Sequence, residues 1–351
     1  KAELYRERIE RIITTINMKE PDRVPCVPHI DWPSGYFPRH VGITAKECIF
    51  DFEKTRYAVK KTLEDLQFDG HNVFLHGLGP VLESFDIKLM GLPGGEGISS
   101  AYGMVQYSTS HDWIKEDDYD RLLKDSSGYA FDTLMPRISN LSSKKDLDFF
   151  VSLIGPMTKA LGWSFNMFSL LEEINQMGIP MFEGGIGLGP IDYTNFLRGS
   201  KGTITDMYRH PEELNKLNDM FASLNTVFGK MQTTLNRVPI LWIPLNYAES
   251  TLLSPKQEKK FSWPSSKKSL SGLIDLNVIP MPLFEIGCID YLDHFRELPK
   301  GSCLLSIGRM DIFKVKEMMG DHMPIGGGVP TDLLVYGTPQ KVEERVKEVC
   351  K

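Results

Sequence analysis

Much that would mark a specialised chain is missing. Lysine and arginine number 40 against 46 acids, for a formal net charge of −6 and a pI near 5.8. No basic stripe gathers them, so nucleic acid is not an expected partner. No apolar run reaches the ~18 residues that suggest a membrane span, so no membrane association is expected either. Cysteine is scarce: Cys26, Cys48, Cys288, Cys303 and Cys350 are odd in number, widely spaced and without a CxxC pair. That pattern argues against a disulfide framework and for a reducing, cytoplasmic setting. Neither GxGxxG nor GxxxxGK[ST] occurs, so neither a dinucleotide fingerprint nor a P-loop is present. No helical repeat or low-complexity linker divides the chain. The opening residues, Lys1 to Arg8, are charged and helical in character, unlike a signal peptide.

What remains is a 351-residue chain, 41% hydrophobic and 25% charged, enough for one large α/β domain or two smaller ones. The stretch from Ile279 to Pro330 shows its plan best. Ile279–Cys288 reads as a strand with its polar end and an amphipathic run to Gly301 as a helix. Cys303–Ile307 reads as a strand, Asp311–Asp321 as a helix and Met323–Pro330 as a strand. Upstream, apolar strands are expected over Arg23–Asp31, His71–His76, Ile179–Glu183 and Pro239–Leu245, with helices over Leu4–Asn17, Thr44–Leu66, Asp146–Met177, Thr205–Asn236 and from Ser254. A hairpin is expected between Phe85 and His111, and a last helix between Gly337 and Cys350. Six to eight strands with intervening helices predict an α/β fold: one closed (β/α)8 TIM barrel, a single domain over 1–351 with an N-terminal helical extension. The alternative, an open doubly wound sheet, lacks its fingerprint.

In such a barrel the C-terminal ends of the strands carry the chemistry. Those ends hold Asp31, Trp32 and Tyr36 after the first strand and His76 after the second. Glu183 follows with Gly184, Gly185, Gly187 and Gly189, then Asn246, Tyr247 and Glu249, then Glu285 and Cys288. Asp31 equally suits the start of a turn before Pro33, and His76 equally suits a bond to the loop backbone. The glycine run after Glu183 contains no lysine, so it reads as backbone open to a large flat ligand. The acids Glu116 to Asp120 read as a solvated helix start, and the lysines between 256 and 268 as a solvated helix face.

The ordered set Lys19-Glu20-Pro21-Asp22-Arg23-Val24-Pro25, Phe196-Leu197-Arg198-Gly199, Ser254-Pro255-Lys256-Gln257, Phe295-Arg296-Glu297-Leu298-Pro299, Asp311-to-Glu317 and Gly337-Thr338-Pro339 resembles the uroporphyrinogen decarboxylase-like superfamily. The likeness runs along nearly the whole chain and is closest in kind to the corrinoid-dependent methyltransferases. It implies a (β/α)8 barrel with its site at the C-terminal mouth and one of two activities. One is decarboxylation of a porphyrinogen. The other is methyl transfer involving a corrinoid (cobalamin) bound on a separate protein.

Decarboxylation needs cations for a many-carboxylate substrate and an acid after the second strand. Here Arg39 alone offers charge near the first, and Phe74-Leu75-His76 replaces the acid motif. The resemblance therefore favours a methyltransferase component working with a corrinoid protein. It moves a methyl group between that corrinoid and a methyl ether, a methylamine or methyltetrahydrofolate. Relatives that methylate thiols bind zinc through His-x-Cys and a later Cys. Here Phe284-Glu285-Ile286-Gly287-Cys288 and the glycine loop 326–328 depart from that motif, which leaves a different site built with Glu249 and Cys288 as the zinc option. His76, Glu285 and Tyr247 are the expected acid–base groups for a methyl ether. Trp32, Tyr36, Tyr193 and Trp242 are the aromatic cage for a quaternary amine. Asp31, Asn246 and Glu183 are the hydrogen-bonding set for a folate.

Overall fold

A strand buried on both faces must be apolar throughout, because helices cover one side and side chains fill the other. Ile240-Leu241-Trp242-Ile243-Pro244 is such a strand, and all five residues are buried. A computed structural model of the chain describes residues 1–29, 35–72, 76–107, 111–139, 147–248 and 251–351. Two compact units emerge. The first comprises Lys1–Ile9, Cys26–Phe182 and Phe196–Gly202; the second comprises Glu10–Pro25, Glu183–Asn195 and Thr203–Lys351.

In the first unit helices dominate. Thr44 caps the Ala45–Phe50 helix in the expected capping box: Thr44 Oγ1 accepts from Glu47 N at 3.1 Å while Glu47 Oε2 accepts from Thr44 N at 2.9 Å. The helix expected to run on to Leu66 breaks at Asp51, whose carboxylate caps a second helix, Phe52–Leu66, by accepting from Glu53 N and Lys54 N. These helices pack with the 30-residue Leu147–Gln176 helix around Cys48, Val59, Leu63, Leu170 and Ile174. Gly178, at φ +89°, turns the chain after it. The expected hairpin forms between β1 (Met90–Gly91) and β2 (Gln106–Tyr107). The acids at 116–120 do open a helical turn, but Asp118 is not simply solvated: it accepts from the Arg137 guanidinium and the Tyr129 hydroxyl.

Among the described residues of this unit, the expected strands leave little ladder. Residues 26–29 form no strand, because Pro25 and Pro28 supply no ladder donors. Instead Cys26 N donates to the buried Asp69 carboxylate at 2.8 Å, and Asp69 N donates back to Cys26 O at 2.9 Å. The runs at His71 and Ile179 meet in one parallel bridge, His71 to Met181. Burial and the nearby His76 hold His71 down at about 3, so it stays neutral.

The second unit holds a parallel sheet in the order β3-β4-β5-β6-β7, formed by Gly185–Ile186, Ile240–Pro244, Ile279–Phe284, Leu305–Ile307 and Ile325–Gly327. The Pro211–Leu235 and Trp263–Asp275 helices cover one face. The helix expected over Thr205–Asn236 is interrupted at His210-Pro211, where proline starts a new helix. β5 contains Pro280 and Pro282, which a central strand should exclude. Their missing donors face β6: Pro280 O accepts from Leu304 N and Phe284 O from Gly308 N on that side, and β6 does not pair with β5 until Leu283. The prolines thus sit where few ladder bonds are available to lose.

The glycine run before and after β3 serves the protein rather than a flat ligand. Gln232, on the Pro211–Leu235 helix, accepts from Ile186 N at 3.2 Å and donates to Ile186 O at 2.9 Å; Asn225 Oδ1 accepts from Leu188 N at 3.3 Å. A Cβ on Gly185 would lie 2.7 Å from the Gln232 side chain, and one on Gly187 would strike Asn225. Of the lysines expected on a solvated face, Lys267 bonds Glu297 at 2.6 Å and Lys268 lies 3.5 Å from Asp219; such exposed pairs contribute little.

Glu258 is 2% exposed and sits 3.1 Å from His294 Nδ1. Burial, with Glu297 nearby, pushes Glu258 up from 4.5 to about 7, and burial lowers His294. Both shifts favour the neutral pair. Between pH 4.5 and 7 the folded chain keeps a proton on Glu258 that the unfolded chain releases, so stability present below that window is lost as pH rises through it. His294 acts in the opposite sense, losing stability as pH falls through the usual histidine range. The expected Glu258 contribution is on the order of 2–3 kcal/mol. In urea titrations Glu258→Gln should therefore gain on the wild type from pH 5 to pH 8; a difference that stays constant with pH would mean the carboxyl ionises freely in the fold.

Candidate active site at the strand ends

Alternation along the parallel strands sorts the second unit's side chains. Leu241 and Ile243 of β4, Phe284 of β5 and Leu305 and Ile307 of β6 belong to the core under the helices. Their alternates must face the other way. Registry aligns these alternates in rows: Ile186, Trp242 and Met281, then Leu283, Ser306 and Gly326. Leu283, Ser306 and Gly326 are partly exposed. Directly after β5 stands the exposed Glu285.

Backbone bonds tie the strand ends together. Gly189 N donates to Pro244 O, Leu245 N to Leu283 O, Gly308 N to Phe284 O and Arg309 N to Glu285 O, all between 2.8 and 3.0 Å. Gly308 is required for this, since a Cβ there would run into the Glu285 carbonyl. Asp192 Oδ1 accepts from Tyr247 N at 3.1 Å and fixes the turn after β4. Asn246, in that turn, keeps a buried Oδ1 with no hydrogen-bond partner among the described residues; a buried acceptor of that kind is costly until a donor reaches it. The Arg309 guanidinium, exposed after β6, has no carboxylate within ion-pair distance among the described residues.

The sequence candidates fall into three groups. Glu285, Asn246, Tyr247, Trp242, Glu183 and Tyr193 lie in the second unit, on or beside the strands of this sheet. Glu183 is fully buried and Trp242 nearly so. Tyr193 stacks on Phe221 at 5.4 Å, and burial, with Asp192 beside it, pushes its hydroxyl up to about 12. His76 and Tyr36 lie in the first unit. The His76 ring is buried edge-on to Phe37 at 5.3 Å, and its carbonyl accepts from Trp163 Nε1 at 2.7 Å. The Tyr36 hydroxyl meets His40 Nδ1 at 3.3 Å. Asp31, Trp32 and Glu249 lie outside the described residues.

Cys288 points away from this rim. It is fully buried in the core under the helices, its sulfur 4.0 Å from Met310 Sδ. Among the described residues no three His, Cys, Asp or Glu side chains are grouped to hold a metal. Sequence reasoning missed Ser306, Arg309 and Gly326. The strand-end segment Gly308-Arg309-Met310 was the available signal, since it follows an apolar strand as Glu285 does.

Parallel strands alternating with helices, with polar groups gathered where the strands end, define an α/β protein of the TIM-barrel class. The chain belongs to the uroporphyrinogen decarboxylase (URO-D) family, whose model matches residues 133–351. The family read from the ordered motifs is thus borne out. A solved methyltransferase from Methanosarcina mazei is similar in fold, with a TM-score of 0.64 and 13% sequence identity over 96% of this chain and 88% of that one. No curated protein sequence matches the chain. Among the described residues no helix is long and apolar enough to cross a membrane.

The glycines of β7 separate room from structure. Gly327, at φ +119°, would drive a Cβ into the Ile307 carbonyl, and Gly328, at φ +98°, would press on Ile312. Among the described residues a Cβ on Gly326 would meet nothing within 4 Å. Gly327→Ala should cost ~2 kcal/mol or more, while Gly326→Ala should stay within ~1 kcal/mol of the parent. Equal losses in urea unfolding would show that Gly326 is as structurally constrained as its neighbour.

Proposed function

We propose that this protein is the methyltransferase component of a corrinoid-dependent system, moving a methyl group between a small methylated compound and a corrinoid carried by a partner protein. The donor or acceptor is a methyl ether, a methylamine or methyltetrahydrofolate. The observation that carries the reading is the rim of the second unit's sheet. It presents an exposed carboxylate, an unpartnered buried acceptor and open space at Gly326, with Arg309 as the one cation directly following a described strand end. A porphyrinogen with many carboxylates needs several cations there. The family match and the fold shared with a methyltransferase agree with the proposal; the family match equally keeps porphyrinogen decarboxylation as the second reading.

The rim fits a flat macrocycle in one respect that can be checked. Among the described residues Gly326 leaves unfilled the space a side chain would take, and none of them makes a packing demand for glycine there. When bound, the corrinoid supplies the cobalt centre that gives or takes the methyl group. The chain's own task is positioning and proton handling. Glu285 holds a proton against the departing oxygen or nitrogen of the methyl compound. Asn246 Oδ1 accepts from a donor on that compound, and Arg309 holds an anionic group. Tyr247, in the turn after β4, is the second group of the acid–base set proposed for methyl ethers. Among the described residues no three His, Cys, Asp or Glu side chains are grouped to hold zinc, and Glu249 lies outside them; no step is assigned to it.

The test is anaerobic. Mixed with cob(I)alamin or a Co(I) corrinoid protein and a panel of methoxyarenes, methylamines and methyltetrahydrofolate, the protein should produce the methyl–cobalt spectrum with one of them. Glu285→Gln should slow that change by about 100-fold without weakening binding of the corrinoid protein. No spectral change with any donor, in either direction, joined to carbon dioxide release from uroporphyrinogen, would replace this reading with the decarboxylase.

A further inference from the structure

The helix after β5, Ile289–Glu297, is wound as a 3₁₀ helix over nine residues, long for a form that seldom exceeds about four. Its three-residue turn places side chains three apart in one line, so Tyr291, His294 and Glu297 share a side. All three reach the helical segment that follows β4. The Tyr291 hydroxyl donates to Leu253 O, His294 Nδ1 lies 3.1 Å from Glu258 Oε2, and Lys267 Nζ donates to Glu297 Oε2 at 2.6 Å. Glu258 opens a π-helical turn, Glu258–Ser262, so two irregular helices meet at this pair. Glu258 Oε2 and His294 Nδ1 are buried and have no other partner among the described residues. Trp263 stacks on the His294 ring at 5.1 Å. Leu253 and Phe261, on either side of Glu258 in the chain, belong to one apolar cluster, and Tyr247 packs against it.

We propose that Glu258 and His294 hold a single proton between them, lock the segment after β4 to the Ile289–Glu297 helix, and thereby position the turn that carries Tyr247. A carboxylate against an imidazolium in a buried contact costs two desolvations. A carboxyl group against a neutral ring avoids both: its O–H donates to Nδ1, and the ring keeps its own proton on Nε2. The surroundings suit this arrangement. Tyr291, Asp293 and Glu297 act on the pair from the 3₁₀ helix and Lys259 from the π turn. The Pro211–Leu235 helix brings the neutral Asn218, which donates to Phe261 O at 2.9 Å. The Glu297 carboxylate opposes a negative charge on Glu258, and burial opposes charge on both members. When the joint opens, both groups reach water, where the carboxyl releases its proton and the ring takes one up. Between pH 4.5 and 6.5 the pair therefore holds one proton whether closed or open, and opening is equally difficult across that window. That the Tyr247 turn serves methyl transfer rests on the function proposed above; the proton count does not.

Amide hydrogen exchange of the whole chain, corrected for its intrinsic pH dependence, reads the opening constant. The amides to follow are Glu258, bonded to Ser254 O, Tyr291, bonded to Cys288 O, and Tyr247, bonded to Asp192 Oδ1. In the wild type their opening should change less than ~3-fold from pH 5 to pH 6.5. Glu258→Gln leaves only a ring that gains a proton on opening, so opening should fall at least ~5-fold as pH rises over that range. His294→Gln leaves only a carboxyl that loses one, so opening should rise at least ~5-fold. Nitrogen-15 NMR of the wild type at pH 6, with His294 assigned through its contact with Trp263, should show a neutral ring protonated at Nε2. A wild type as pH-dependent as either variant, two variants that change in the same direction, or a proton on Nδ1 at pH 6 would overturn the proposal. So would a Tyr247 amide that follows neither variant, since the pair would then hold nothing at the turn. These readouts need no methyl donor, so their failure and the failure of the transfer assay are separate results.

Discussion

Strand alternation is the constraint on which the second unit depends. The helices Pro211–Leu235 and Trp263–Asp275 require apolar side chains beneath them. Leu241, Ile243, Phe284, Leu305 and Ile307 answer that requirement. Once they point toward the helices, a period of two leaves no freedom for the rest. Trp242, Leu283, Ser306 and Gly326 must share the other face, and Glu285 follows directly after the end of β5. The placement of the proposed acid is thus a consequence of core packing several residues away. Slipping β5 by one residue would bury Glu285 under the helices and unfold the layer before it altered any chemistry.

Backbone approach is the second constraint, and it governs the rim. Gly308 N bonds Phe284 O, and Arg309 N bonds Glu285 O. That closeness fixes the position of the Glu285 main chain, but it forbids a side chain at 308. On the other edge, amide side chains of one helix do work that a neighbouring strand would do. Gln232 both accepts from and donates to Ile186, and Asn225 accepts from Leu188. The loop after β3 is held from outside, so its glycines are used up by protein contacts.

The sequence made the fold class legible because period and order survive without coordinates. The apolar runs of β4 and β5, the Thr44–Glu47 capping box and the glycine at 178 each name a local geometry with few alternatives. What it hid was donor supply and interruption. Pro25 and Pro28 read as part of an apolar run, yet they deprive residues 26–29 of a ladder. Asp51 read as a helix residue, yet its carboxylate caps the next helix. For the site, Glu285, Asn246 and Tyr247 were legible as polar residues following strands. Cys288 was read with them, but its burial was hidden: beyond β5 its thiol packs against Met310.

The glycines make the deepest ambiguity, since all of them look alike in a sequence. Gly327 and Gly328 exist for φ values that side chains resist, and Gly308 exists for a carbonyl that passes too close. Gly326 has neither reason. Its backbone suits any residue and its Cβ direction is empty. The position lies in register with Ser306 and Leu283, and among the described residues it tolerates a side chain sterically. That difference, invisible in Gly326-Gly327-Gly328 as letters, separates the glycines that build the rim from the one that leaves room at it.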